Sequence, residues 1–270
     1  MVRTPLPLIE KNSLIQLQMV LPRVLARQVT QAQMMSVCTL YRRMGIAQLF
    51  LSGLPDGFFE ELSRSARAFL FFLQGTDDSA KTTSRSEPYF DAIASNDIEA
   101  EREIAQHSRA TWNSGEEYED DFLYVRILME RFTLAASTAR LEVAMSRYEG
   151  LPTAGGDARL PLCQALVAAD AQRFEENLGR LLDARARELR KRIEAERLSP
   201  DDATTTAHLS VEVLALLRLA ERARLPTELH YPLAPSVARR LDRARLPHPG
   251  SWQQRVISIQ GSTDVPGRSP

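Results

Sequence analysis

Five of the six residues from Glu116 to Asp121 are acids: Glu116, Glu117, Glu119, Asp120 and Asp121. This is the most concentrated charge in the chain, and it admits two readings. In the first it is helix chemistry: the acids occupy the opening turn of a helix, with Ser114 as the N-cap, where each is favoured by some tenths of a kcal/mol. Five acids exceed what a helix start requires, because their mutual repulsion costs back what the dipole gives. In the second reading the cluster is an anionic surface that meets a basic partner and speeds their encounter. A metal site is disfavoured, since neighbours along a helix diverge and cannot converge on one ion. Trp112, just upstream, is a packing residue or an anchor for a partner, a role in which tryptophan is enriched.

Other chemistry is scarce. The histidines His107, His208, His230 and His248 form no HExxH motif and no Glu-x-x-His pair. There is no glycine-rich phosphate loop and no GxSxG. Gly155-Gly156 sits beside Pro152 without the lysine that a phosphate cradle needs. Cys38 and Cys163 lie far apart with no metal-ligand spacing, which reads as two buried reduced thiols. No cofactor and no catalytic residue is expected. A triad assembled in space would leave no trace in sequence order. The Arg- and Glu-rich stretch from Arg180 to Arg197 reads as a solvated helix face, with i,i+4 pairs such as Glu188 to Arg192. Nucleic-acid binding there is disfavoured by Asp183, Glu188, Glu194 and Glu196 among the bases.

The formal net charge of −1 over 270 residues steers the chain to neither nucleic acid nor a membrane surface. A hydrophobic content of 44% supports a sizeable core. The N-terminus lacks the apolar run and small-residue cleavage site of a secretory signal, and no run is long enough to span a bilayer. The expectation is a cytoplasmic protein.

The acidic cluster must be positioned by helices, since no stretch alternates convincingly as a strand. Tyr89 to Leu134 reads as two helices joined at Asn113, Ser114 and Gly115. In the second, Tyr118, Phe122, Val125, Met129, Phe132 and Ala136 recur at helical steps, so this helix buries one face and is a central packing element. Upstream, Pro22 predicts a break near Leu21, followed by a helix from about Arg23 to Met44 that Gly45 ends. Phe58 to Gln74 reads as a helix, and Gly75 to Glu87 as a polar, mobile connection. Downstream of a linker at Leu151 to Gly156 come four further helices. They are Leu162–Ala169, Asp170–Arg197 with Phe174, Leu178, Leu182, Leu189 and Ile193 inward, the mostly apolar His208–Arg224, and a short one from Ser236 to about Ala244. The fold class is all-α, an irregular bundle of stacked helical hairpins. Its organisation is a flexible arm over residues 1–12, a single helical domain over 13–246 with halves of about 13–150 and 157–246, and a loosely ordered tail over 247–270. Within that tail, Arg255 to Ile259 could add as an extended segment.

A weak internal repeat relates Ala92-Ile93-Ala94-Ser95-Asn96-Asp97 to Ala165-Leu166-Val167-Ala168-Ala169-Asp170. Each is a small apolar helix end, an Asp, then an amphipathic helix. The Asp is expected to cap the incoming helix, a role worth about 1 kcal/mol.

Three blocks then resemble a known family. The first is Tyr89-Phe90-x-Ala92-Ile93 with Asn96-Asp97, Trp112 and Tyr118-Glu119-Asp120-Asp121-Phe122-Leu123-Tyr124. The second is Ala165-Leu166 with Asp170, Phe174 and Leu178. The third is Leu209-Ser210 through Leu214-Ala215-Leu216 and Leu219-Ala220 to His230-Tyr231-Pro232. In this order, from about Tyr89 to Ala234, they resemble the immunity protein 49 family of bacterial polymorphic toxin systems. The pattern departs at Ala223-Arg224-Leu225, where a small residue or glycine would end the apolar helix. The resemblance implies a non-enzymatic, all-α protein that binds and neutralises a cognate toxin. Many such toxins cleave nucleic acid and carry basic clefts, so the acidic helix start could mimic phosphate charge. A helical-hairpin adaptor for some other protein is the alternative.

Overall fold

The computed structural model describes residues 4–241 and 245–255. It is an all-α bundle, and no strand is found among the described residues. The helices are α1 (Leu6–Leu25), α2 (Gln31–Ser52), α3 (Asp56–Gln74), α4 (Glu87–Ser95), α5 (Ile98–His107), α6 (Glu119–Phe132), α7 (Thr138–Glu149), α8 (Arg159–Ala168), α9 (Ala171–Glu194) and α10 (Val211–Arg222).

The first helix begins earlier than expected and is not broken by proline. Pro5 and Pro7 flank its start, where a missing N–H is no loss. The helix therefore opens at Leu6, inside the segment expected to be an arm. It then runs through Pro22 to Leu25, because Leu17, Leu21 and Val24 bury themselves against α2 and that packing outweighs the lost hydrogen bond. The break falls instead at Thr30, whose hydroxyl accepts from Gln33 N–H while Gln33 accepts from Thr30 N–H, a reciprocal capping box. Gly45 does not end α2 but lies inside it. A Cβ at Gly45 would stand 3.1 Å from both the Phe58 carbonyl oxygen and Glu61 Cβ, so glycine lets α2 and α3 approach. The left-handed residue that does end α2 is Gly53, with φ 68°.

The short α4 lies against α3, α5 and α10. Every residue from Pro88 to Ser95 is buried, including Asp91. Its carboxylate accepts from Arg42 Nε and from Ser65 Oγ, both at 2.6 Å. Burial pushes the Asp91 carboxyl above its ordinary pKa, and these two donors only partly offset it.

The two similar segments share one backbone device. After α4, Asn96 takes a left-handed conformation, Asn96 N–H bonds to Ile93 O, and Asp97 N–H bonds to Ala92 O. After α8, Ala169 is left-handed, Ala169 N–H bonds to Leu166 O, and Asp170 N–H bonds to Ala165 O. Asp97 and Asp170 then cap α5 and α9 through Ala100 N–H and Arg173 N–H. Arg224, also left-handed with φ 62°, follows α10 at the place where the family pattern suggests a small residue or glycine.

The expectation of a one-sided α6 understates its burial. Every residue from Phe122 to Glu130 is buried, so Arg126 and Glu130 are enclosed and pair at 2.8 Å, with Arg140 also bonding Glu130. Tyr118, expected on the inward face, precedes the helix and is 79% exposed. In α9 the inward face stops at Leu182: Leu189 is half-buried and Ile193 is exposed. In place of a helix from Ser236 there is a 3-10 turn, Ser236–Arg239, and residues 242–244 lie outside the described ones.

The start of the expected tail is part of the core. Ser251–Arg255 forms a 3-10 turn that buries Trp252 against Phe71, and the Tyr41 hydroxyl donates to the Trp252 carbonyl at 3.0 Å. Residues 256–259 of the expected extended segment lie outside the described ones. One hydrophobic cluster runs from Leu17 through all the helices to Trp252.

The two capping aspartates differ in everything but the cap. Asp97 is buried and also accepts from Ser63 Oγ and, through two nitrogens, from Arg67. Among the described residues, Asp170 reaches only Arg173 besides its cap. In urea unfolding, Asp170→Ala should cost about 1 kcal/mol, and Asp97→Ala about 3 kcal/mol because it leaves Ser63 without its acceptor and Arg67 with only the exposed Glu99 as a partner. Equal losses would mean that the buried pair adds nothing beyond the cap.

Candidate partner-binding site

The polar residues before α4 do not form a loose connection. Gln31 donates from Nε2 to the carbonyls of Thr82 and Arg85 and accepts from Thr82 N–H. Thr83 donates to the Arg109 carbonyl, and Lys81 to the His107 carbonyl. Side chains thus satisfy the backbone of a segment that has no large apolar residue, and they fix it.

Glu117 ties this segment to the next loop. Its carboxylate accepts from Ser84 N–H at 2.7 Å and from Asn113 N–H at 3.1 Å. Its carbonyl accepts from Trp112 Nε1 at 3.0 Å. Glu117 is therefore a buried clamp, and half-buried Trp112 is packed beneath the Arg147 guanidinium. The helix starts at Glu119, after this clamp, so Ser114 is not its N-cap.

The acids of the first turn of α6 meet arginines. Glu119 pairs with Arg147. Asp120 and Asp121 lie 3.7 and 2.6 Å from Arg159. Arg159 also holds Asp157 at 2.8 Å, stacks 5.1 Å from the Tyr124 ring centre, and places Asp157 where the Tyr148 hydroxyl donates to it. Burial works to raise the Asp157 pKa, but the hydrogen bonds from Arg159 and Tyr148 outweigh it and hold the carboxyl below its ordinary value. Tyr148, buried and facing that carboxylate, is pushed far up.

Of the five acids, only Glu116 stands exposed with a carboxylate that has no hydrogen-bond or ion-pair partner among the described residues. It borders a groove of about 580 Å³ with Arg85, Glu87, Tyr118 and Asp121. Glu87 is exposed and likewise unpaired among the described residues. The groove thus has two carboxylates open to solvent, one exposed aromatic ring and one cation. Glu87 and Arg85 carried no signal in the sequence. Tyr118 carried a misleading one, since its spacing from Phe122 places it on the inward face, whereas it precedes the helix and is exposed.

A family model described as Immunity protein 49 matches residues 27–238. The chain belongs to the immunity protein 49 family. No curated protein and no solved structure matches it. The match takes in the groove and every helix from α2 to α10, and it leaves α1 outside. Membership of an immunity protein family implies a toxin partner in general and suggests a non-enzymatic protein. Among the described residues no helix is long and apolar enough to cross a membrane.

The Asp157–Arg159 pair gives a pH test. A carboxyl with a depressed folded pKa contributes stability above the ordinary carboxylate range and loses it as pH falls through the folded value. Arg159→Met should destabilise the protein at pH 7 by roughly 3 kcal/mol, since it leaves Asp157 and Asp121 without their cation. Its further loss on going to pH 3 should be smaller than that of the wild type. Urea midpoints at both pH values decide this, and an unchanged acid sensitivity would show that Arg159 does not hold Asp157 down.

Proposed function

We propose that this chain neutralises a cognate toxin by stoichiometric occlusion, with the acidic groove at the start of α6 as the contact surface. The observation that carries this reading is that Glu116 and Glu87, neither with an ion-pair partner among the described residues, stand with the exposed ring of Tyr118 around one groove. Tyrosine is a frequent hot-spot residue because it offers a large apolar area and one polar tip. Unpaired carboxylates beside it favour a basic surface and accelerate its approach.

The remaining acids have a supporting role in this proposal. Glu117, with Trp112, holds the groove wall, while Glu119, Asp120 and Asp121 brace α6 against Arg147 and Arg159. They add to the local field but are not free to make new ion pairs. A toxin that acts on nucleic acid would present a basic cleft, and Glu116 and Glu87 would occupy it in place of phosphates.

The test is binding of the toxin encoded beside this chain. The double reversal Glu87→Lys with Glu116→Lys should weaken binding at least about tenfold, or roughly 1.4 kcal/mol, and flatten its salt dependence. Tyr118→Ala should weaken binding with the salt dependence intact. Glu116 and Tyr118 are exposed and outside the helices, so Glu116→Lys and Tyr118→Ala should keep the wild-type thermal midpoint, while Glu87→Lys, in the first turn of α4, should lower it slightly. Unchanged affinity and salt dependence in the double variant would remove the groove from the interface.

A further inference from the structure

The first helix buries one side and leaves an apolar stripe on the other. Ile9, Ser13, Leu17, Leu21 and Val24 of α1 are buried. On the opposite side Leu8, Ile15 and Met19, at steps of seven and four, lie within about 40° of one line along about 16 Å of helix. They are 45%, 44% and 75% exposed. Leu51, at the end of α2, and Leu54 just beyond it are exposed as well. These two leucines line a groove of about 520 Å³ with Glu10 and Asp56, near the start of α1. The family match begins at residue 27, so α1 and its stripe are an addition to the body that the family shares. Clustered apolar exposure of this kind marks a contact surface.

The charges at its two ends say what fits it. At the first end are the groove carboxylates of Glu10 and Asp56. Glu10 accepts from Gln48 at 2.8 Å and has no ion-pair partner among the described residues. At the far end is exposed Arg23, whose guanidinium reaches only the Gln28 carbonyl, at 3.3 Å, among the described residues. Glu10 and Arg23 stand about 20 Å apart along the helix. A surface that pairs with its own copy must match itself, which calls for an apolar middle with unlike charge on either side of the two-fold axis. We propose that the α1 face is covered by a second copy of this chain, with the two α1 helices antiparallel, so that Arg23 of each copy meets Glu10 of the other.

The two-fold axis then passes at the level of Gln16 and Leu17, with Ile15 and Met19 of both copies around it. Leu8 falls beside Leu25 of the second copy, and both are exposed in the single chain. Lys11 lies about 100° round the helix from Glu10, and it falls at the level of Pro22 of the second copy, which is uncharged. A parallel arrangement would instead set Arg23 against Arg23 and Glu10 against Glu10. One helical stripe with two adjoining leucines is less than the ~800 Å² per partner of a standard interface, so the dimer should be weak. The groove beside α1 shares no residue with the acidic groove at α6, and the proposal does not rest on the toxin reading.

The test is sedimentation equilibrium of the full chain. A monomer–dimer equilibrium is expected, with a Kd of roughly 10–100 μM that rises with salt. Ile15→Gln with Met19→Gln should raise the Kd at least about tenfold and keep the wild-type thermal midpoint, since both side chains are exposed. Arg23→Glu and Glu10→Arg should each weaken self-association, because like charges then meet at both contacts. Mixed one to one, these two variants should associate with each other about as tightly as wild type does with itself, since each contact again joins opposite charges. A chain that stays monomeric up to about 1 mM would overturn the proposal, as would self-association indifferent to Ile15→Gln with Met19→Gln. Weakened single variants with no recovery in the mixture would overturn the antiparallel pairing. A monomeric chain that instead cosediments with phosphatidylserine vesicles, and loses this with Ile15→Gln and Met19→Gln, would assign the stripe to a membrane surface and overturn the dimer.

Discussion

A carboxylate sits in the middle of the core, and the helices around it are arranged to hold it. Asp91 is on α4, with α3, α5 and α10 packed about that helix. Taking a carboxylate out of water is costly unless charge and hydrogen bonds replace the solvent. Arg42 from α2 and Ser65 from α3 supply them, which fixes α2, α3 and α4 relative to one another. Gly45 lets α2 and α3 come close. The same arrangement orients Arg42, whose Nη2 is buried without a hydrogen-bond partner among the described residues.

Charge elsewhere in the molecule follows the same logic of enclosure and pairing. Glu101, buried at the α5 end of the core, accepts from Arg222 and from Thr133, which in turn bonds the Tyr89 hydroxyl. Glu130 is enclosed with Arg126 and Arg140. Glu117 is spent on two backbone amides. Such networks specify one arrangement of helices more than they add stability, because the desolvation of each ion offsets much of its attraction. Glu116 and Glu87, which have no ion-pair partner among the described residues, are neighbours around one groove. By contrast, α9 carries exposed charges of both signs, Arg187, Glu188, Arg190, Lys191 and Arg192, with the expected pair of Glu188 and Arg192 not formed.

The acidic groove offers long-range attraction and an exposed ring. Attraction of this kind sets encounter rate and salt dependence more than the lifetime of a complex.

Much of the fold was legible in the residues. Periodicity over Phe58 to Gln74, Phe122 to Met129 and Val211 to Ala220 identifies helices because burying one face is a local property of spacing. The aspartate after each of two small apolar helix ends foretold the caps at Asp97 and Asp170, since capping needs only a short side chain and the next turn. The concentration of acid from Glu116 to Asp121 is likewise plain in the sequence. Its meaning is not, because which acids are neutralised depends on Arg147 and Arg159, brought there by α7 and α8. The same holds for Pro22, carried inside α1 by packing against α2, for the segment before α4, pinned by Gln31 and Glu117, and for Trp252, returned to the core from the far end of the chain. Sequence spacing reports what a residue needs from its own helix. Only the tertiary structure decides which distant side chain satisfies it, and so which charges are left over for a partner.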